Sequence, residues 1–288
     1  MPISDFSFAP RVILAGTLLA AAWPATAAED AVQFAPHRAV YEFTLAGTST
    51  GSSVAGLTGR MVYELSGSAC EGYTQNMRFV TRMSNQEGID TLNDLRTSSW
   101  EEAGGKRLRF SASQYQNDDV AEASQGDAKR DRGAQSVSVD LVKPGKKRVS
   151  LPTETYFPMQ HANALITAAK SGQTLLTAKL YDGSEKGDKY YATTAIIGKK
   201  AEPGAVKTTV ALKEAAKLAA QDSWPMSISY FEPGKDKQDL PPAYELSFRY
   251  YENGVTADLK IDYGEFAIKG ALKELSFLDA NPCKADAP

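Results

Sequence analysis

Arg60–Met83 reads RMVYELSGSACEGYTQNMRFVTRM, and its alternation decides the fold class. Met61, Tyr63 and Leu65 share one side, with Val62 and Glu64 opposite; Met77, Phe79 and Thr81 repeat the pattern, flanked by Arg78 and Arg82. Successive strand residues point to opposite faces of a sheet, so such runs bury one face and wet the other, as antiparallel sheets do. The same period continues outward on both sides. Tyr41, Phe43 and Leu45 alternate with Glu42 and Thr44, Leu108, Phe110 and Ala112 with Arg107, Arg109 and Ser111, and Val137, Val139 and Leu141 with Ser136, Ser138 and Asp140.

Turn chemistry separates the runs. Gly56 and Gly59 bracket one connection, and Asn117-Asp118-Asp119 ends another run. Glu252-Asn253-Gly254 predicts a type I′ hairpin turn joining Tyr244–Tyr251 to Val255–Tyr263, because Asn-Gly accepts positive φ at both central positions. Phe266, Ile268, Leu272, Leu275 and Leu278 close the chain, for about a dozen strands in all.

Two segments break the period. Pro158–Lys170 (PMQHANALITAAK) carries Met159, Ala162, Leu165, Ile166 and Ala169 at helical spacing, with Pro158 suited to a first turn and Gly172 to a stop. Leu212–Gln221 (LKEAAKLAAQ) consists of strong helix formers and reads as a surface insertion between strands. Asp118–Gly133 and Gly234–Pro242 are polar and predict exposed loops. No internal repeat is present.

The N-terminus reads as a secretory signal. Pro2–Phe8 is short and polar, Arg11 is positive, Val12–Ala22 is apolar, and Ala25-Thr26-Ala27 places small residues at a cleavage site. The apolar run is too short for a stable membrane anchor, and no cysteine follows it for lipidation. The expectation is an exported chain with residues 1–27 removed and residues 28–288 forming one domain. In an oxidising compartment the two cysteines, Cys70 and Cys283, read as a disulfide, the alternative being two buried thiols.

Composition excludes some partners. The formal charge of −3 gives no electrostatic footprint for nucleic acid and no basic bias toward anionic lipid. The hydrophobic fraction of 42% is that of a globular protein. Past the signal, no stretch is apolar and long enough to cross a membrane as a helix.

The sequence offers little catalytic machinery. Its two histidines, His37 and His161, lack a Gly-x-Ser-x-Gly elbow to present a serine to either. No metalloprotease, Cys-x-x-Cys, phosphate-cradling or dinucleotide motif appears, so no catalytic residue, metal or cofactor is expected. Asp182–Asp188 (DGSEKGD) resembles a calcium loop in its spaced oxygens, but Lys186 occupies a ligand position and no bidentate Glu closes it. The segment reads instead as the turn between Leu175–Tyr181 and Tyr190–Ile197. The aromatics Tyr63, Tyr73, Trp100, Trp224 and Tyr230 are the candidate ligand-facing residues. Either they fill a sheet core or they line a concave face that holds an acyl chain or a peptide. Ser223-Trp224-Pro225, followed by Met226–Phe231, would form one wall.

Several short motifs in order resemble one family. They are His37–Tyr41, Gly59–Glu64, Cys70–Tyr73, Leu180–Ser184, Ser223–Met226, Glu252–Val255, Asp262–Gly264, then Gly270, Leu272 and Cys283. Together they resemble the EipB family of cell-envelope integrity proteins, also known as the domain of unknown function DUF1849. The resemblance covers nearly the whole mature chain. It implies a periplasmic protein of mainly β structure, a single antiparallel spiral or barrel-like sheet wrapping one α-helix, and a Cys70–Cys283 disulfide. It implies kinship with periplasmic lipoprotein carriers of the LolA/LolB kind and no enzyme activity. The leading expectation is a non-enzymatic factor that keeps the envelope intact by binding a protein partner or an apolar ligand. A carrier of acyl chains or lipoproteins is the second reading, and a hydrolase with an unrecognised site the third.

Overall fold

The structure, a computed structural model, describes residues 32–130, 133, 135–206, 214–232 and 241–280. The signal sequence, Cys283 and residues 234–240 of the Gly234–Pro242 stretch lie outside the described residues.

From β1 (His37–Thr48) the chain meanders through β2 (Val54–Ser68), β3 (Gly72–Asn85), β4 (Asp90–Glu101) and β5 (Arg107–Gln116). It continues through β6 (Asp119–Lys129), β7 (Ser136–Lys143) and β8 (Lys147–Pro152), each strand antiparallel to the one before. After Thr153 and Glu154 come β9 (Thr155–Tyr156) and α1 (Pro158–Lys170). The chain then returns through β10 (Leu175–Leu180), β11 (Tyr191–Ile197), α2 (Ala215–Ala219) and β12 (Ser223–Phe231). It ends with β13 (Tyr244–Tyr251), β14 (Thr256–Asp262) and β15 (Phe266–Phe277), and β15 pairs with the free side of β1. The result is one fifteen-stranded sheet with β8 at one edge and β9 at the other. Only Thr153 and Glu154 separate these edges along the chain, and three Cα steps hold them within about 11 Å. The sheet therefore curls into a nearly closed, barrel-like form with a seam between β8 and β9.

The expected helix is present with the expected bounds, and its buried side, Met159, His161, Leu165, Ile166, Ala168 and Ala169, faces the sheet interior. A thirteen-residue helix is marginal alone and persists because this stripe is covered. Leu165 and Ile166 join Tyr41, Phe43, Trp224, Met226 and Ile268 in the main core. A second core lies under β5–β8, where Leu108, Phe110, Val137, Val139, Leu141 and Leu151 close around Phe157 and Tyr181.

Five expectations need correction. Gly56 and Gly59 do not bracket a connection, because both lie inside β2. Asp118–Gly133 is not an exposed loop, because it contains β6, which lies between β5 and β7. Its buried positions are Ser124, Gly126 and Ala128, and a Cβ on Gly126 would stand 2.7 Å from the Phe110 ring. The strand is small-residue by necessity, so it lacks the bulky alternation that marks the others. The hairpin at Glu252-Asn253-Gly254 exists, but only Gly254 has positive φ (88°). Gly254 N–H donates to the Tyr251 carbonyl and Tyr251 N–H to the Val255 carbonyl, both at 2.9 Å. That is a three-residue loop ending in a left-handed glycine, not a type I′ turn. Within Leu212–Gln221, α2 spans five residues and buries Leu218; residues 212 and 213 lie outside the described residues. Among the described residues the strands number fifteen rather than about a dozen, with β6, β8 and the two-residue β9 among those without an alternating signal.

β10 and β11 pair as the expected hairpin. Their connection is longer than a tight turn and is laid over the second core. Asp182 Oδ1 accepts the Ser184 N–H at 2.9 Å, Tyr181 Oη–H donates to the Gly187 carbonyl at 2.7 Å, and Asp188 pairs with Lys147 at 2.9 Å. Gly183 (φ 74°) crosses so close to Phe110 that a Cβ would lie 2.2 Å from its ring.

Candidate functional site at the seam

The alternation of β4 places Trp100 outward and Glu101 inward, against the usual preference of both residues. Glu101 stands between Tyr73 of β3 and Leu108 of β5, and all three are buried. Its carboxylate accepts the backbone N–H groups of Met159, at 2.7 Å, and Gln160, at 3.0 Å. These are orphan donors of the first turn of α1, whose N-cap residue, Phe157, has no side chain able to accept them. Glu101 thus caps the helix from 58 positions away in the chain. Burial pushes its carboxyl up to about 7, while the two amides and the Arg130 charge pull the other way.

Arg130 follows β6 and reaches the same point. Its guanidinium donates to the Gly105 carbonyl at 2.7 Å, to Gln160 Oε1 at 3.2 Å and to the Thr155 carbonyl, with the Phe157 ring 5.1 Å away. Burial lowers its pKa, against the raising effect of Glu101. Arg130 Nε and Thr155 Oγ1 are buried and have no hydrogen-bond partner among the described residues.

One turn into the helix, the buried His161 Nε2 lies 3.4 Å from the Thr193 hydroxyl. Burial drops this imidazole to about 4, so it is neutral at pH 7. Thr193 also donates to the Ala178 carbonyl at 3.2 Å, so His161 does not draw its proton, and the pair is not a nucleophile and base. His37, at the start of β1, bonds through Nδ1 to the Ala35 carbonyl at 2.7 Å. Among the described residues, neither ring touches a serine hydroxyl or a carboxylate.

Beside these groups the seam opens into a cavity of about 620 Å³. Thr153, Thr155, Thr177, Thr193 and Thr194 are among the residues that line it. Arg130, Glu154 and Lys179 bring its charges, Gln160 an amide, and Ala178, Ala192 and Tyr156 its apolar surface. A smaller hollow of about 250 Å³ on the outer face of β3–β5 holds Arg78 and Arg96 against Asp94, whose carboxyl they hold down at about 2.

The five candidate aromatics do not converge. Trp224 lies in the main core, Tyr63 sits 5.6 Å from the His37 ring, and Tyr73 meets Phe34 edge-on at 5.6 Å. Tyr230 stacks on Tyr244 at 4.3 Å, beside Tyr191. Trp100 is on the outer face under Arg109, at 5.4 Å. None of the five lines the seam cavity. Sequence reasoning missed Glu101 and Arg130. The available signal was an acid at a strand position flanked by apolar neighbours, which becomes legible only once the strand register is known.

Comparison with known proteins agrees with this architecture. The family model described as EipB-like matches residues 28–279. The chain is 39% identical over 260 residues, 90% of each protein, to the cell envelope integrity protein EipB of Brucella abortus. A crystal structure from Brucella abortus, described as a beta-barrel-like protein of domain of unknown function DUF1849, superposes with a TM-score of 0.77 at 38% identity. That match covers 86% of this chain and all of the other. Neither description names an enzymatic activity.

Proposed function

Because this chain belongs to the EipB-like family, we propose that it is a non-enzymatic periplasmic protein that maintains cell-envelope integrity by binding a protein partner. The observation that carries this reading is the seam cavity, where threonines and charged residues share the wall with Ala178, Ala192 and Tyr156, a mixed lining of the kind a polypeptide segment can fill. The signal at residues 1–27 is the route to the periplasm, and no described helix is long and apolar enough to cross a membrane. Loss of the gene is expected to sensitise cells to detergent, with the exported chain restoring resistance. Native mass spectrometry of the restoring protein is expected to show bound polypeptide. Unchanged resistance in the deletion strain would count against the envelope role, and a stoichiometric lipid would favour the acyl or lipoprotein carrier, with Tyr63, Tyr73, Trp100, Trp224 and Tyr230 as candidate ligand-facing residues.

The Cys70–Cys283 disulfide belongs to the same reading. Cys70 lies in the turn between β2 and β3, and Cys283 lies outside the described residues. Protein unfolded without reductant is expected to label with a thiol reagent at neither cysteine, and after reduction at both. Two reactive thiols before reduction would exclude the bond.

A further inference from the structure

The two edges of the sheet are not alike. β8 carries Lys147, Arg148 and Pro152, the charges and proline that discourage strand addition. On the other side, β9 pairs with β10 only at Lys179 and Leu180, so Leu175–Ala178 continue past its end. The ladder fixes which backbone groups face that gap. Ile197 N–H donates to the Thr174 carbonyl at 2.9 Å, and Tyr181 N–H donates to the Tyr156 carbonyl at 2.9 Å. By the alternation of an antiparallel pair, Leu176 and Ala178 then bond toward β11, while the N–H and C=O of Leu175 and Thr177 point away from it. Leu175–Ala178 itself contains no charged residue and no proline.

The surroundings match an extended chain. On the outer face, Leu175 and Ile196 are register partners, 56% and 61% exposed, and form an apolar pair next to the edge. The cavity opens at the gap itself, lined on one face of β10 by Thr177 and Lys179 and on the other by Ala178, with Arg130 and Thr155 across from them. Thr155 is 0% exposed, and its hydroxyl has no partner among the described residues. Among the described residues that line the cavity, Arg130 and Lys179 outnumber Glu154; Glu101, which also acts on Arg130, lies outside the lining. Among the described residues, the Arg130 guanidinium is met by carbonyl and amide oxygens, with Nε unmatched.

We propose that the seam is a docking groove for an extended, acid-bearing segment of a partner polypeptide, which adds as a strand to β10 and sets a carboxylate toward Arg130. The inference rests on the protein-binding reading above and gives it a place and a chemistry. Leu175 and Thr177 supply main-chain hydrogen bonds, and Leu175 and Ile196 receive an apolar side chain on the outer face. A side chain on the other face of the added strand enters the cavity, where the excess charge favours Asp or Glu.

The test is selection of phage-displayed random peptides on the purified chain. Enriched peptides are expected to alternate apolar and acidic positions and to slow hydrogen exchange at the Leu175 and Thr177 amides. Thr177→Pro removes one edge donor and is expected to weaken binding at least about tenfold. Leu175→Glu, on an exposed position that tolerates charge, is expected to weaken it similarly and keeps the test open if the proline variant unfolds. Peptides that bind both variants as well as the unaltered chain would overturn the edge while leaving protein binding intact. A selection that enriches nothing overturns it as well. Native mass spectrometry of the same sample then reads the broader proposal separately, bound lipid counting against it and bound polypeptide for it.

Discussion

Phe157→Ala is expected to destabilise the protein by about 4 kcal/mol, the range for emptying a fully buried aromatic site. Phe157 is 0% exposed and belongs to the second core, yet it is also the residue from which α1 starts. Its ring lies beneath the Arg130 guanidinium, and its backbone N–H donates to Gln160 Oε1 at 3.2 Å. Truncation removes the contact that ties the β5–β8 core to the helix filling the main one. Denaturant unfolding measures the loss. Faster exchange of the Met159 and Gln160 amides would report loosening of the helix start. Phe157→Leu keeps most of the buried volume and is expected to lose less than half as much. A loss below about 1 kcal/mol for the alanine variant would mean that the two cores do not depend on this ring.

The second large effect is a pH dependence centred on Glu101. Its carboxyl rises from 4.5 to about 7 in the folded chain, with burial the largest cause. Between those values the folded protein holds a proton that the unfolded chain has released. This contribution is therefore fully present below pH 4.5 and is lost as pH rises through 7. The shift corresponds to roughly 3 kcal/mol. His161 pulls the opposite way over an overlapping range, because burial lowers its pKa from 6.5 to about 4 and it resists protonation when folded. Comparison with Glu101→Gln isolates the carboxyl. The stability of the unaltered chain minus that of Glu101→Gln is expected to fall by roughly 3 kcal/mol from pH 4.5 to 7. A difference that stays flat would show that Glu101 is not buried as a titrating acid.

How much of this was readable beforehand follows from where each signal resides. The strands with bulky alternation, such as Tyr41, Phe43 and Leu45 in β1, declare both their type and their inward face. The helix declares its bounds through Pro158, its apolar stripe and Gly172, all within one short segment. β6 was hidden because Phe110 lies across it and leaves room only for Ser124, Gly126 and Ala128. β4 misleads in a different way. Its residues alternate correctly, but the outward side carries Leu92 and Trp100 and the inward side carries Glu101, so polarity alone reverses its faces. The seam could not be read at all, since Glu101, Arg130, Gln160 and Thr193 meet only after the sheet has curled. The aromatic pattern likewise fixes faces but not whether an interior is filled.

The pairing of the last strand with the first has a consequence for how the chain is made. His37 lies opposite Phe277, 277 − 37 = 240 positions later. Bringing such distant segments together costs on the order of 5 kcal/mol of loop entropy before any ladder bond compensates. A chain emerging N-terminus first can assemble the meander from β1 to β8 before its remainder has appeared. It cannot satisfy the second side of β1 until nearly all of it has appeared. Until then Ala39, Val40, Tyr41 and Phe43 sit on an open, apolar border. Any product cut short before Phe266 keeps that border permanently, which marks it for proteolysis or aggregation. The architecture thus carries its own proofreading, because only a full-length polypeptide can hide its beginning behind its end.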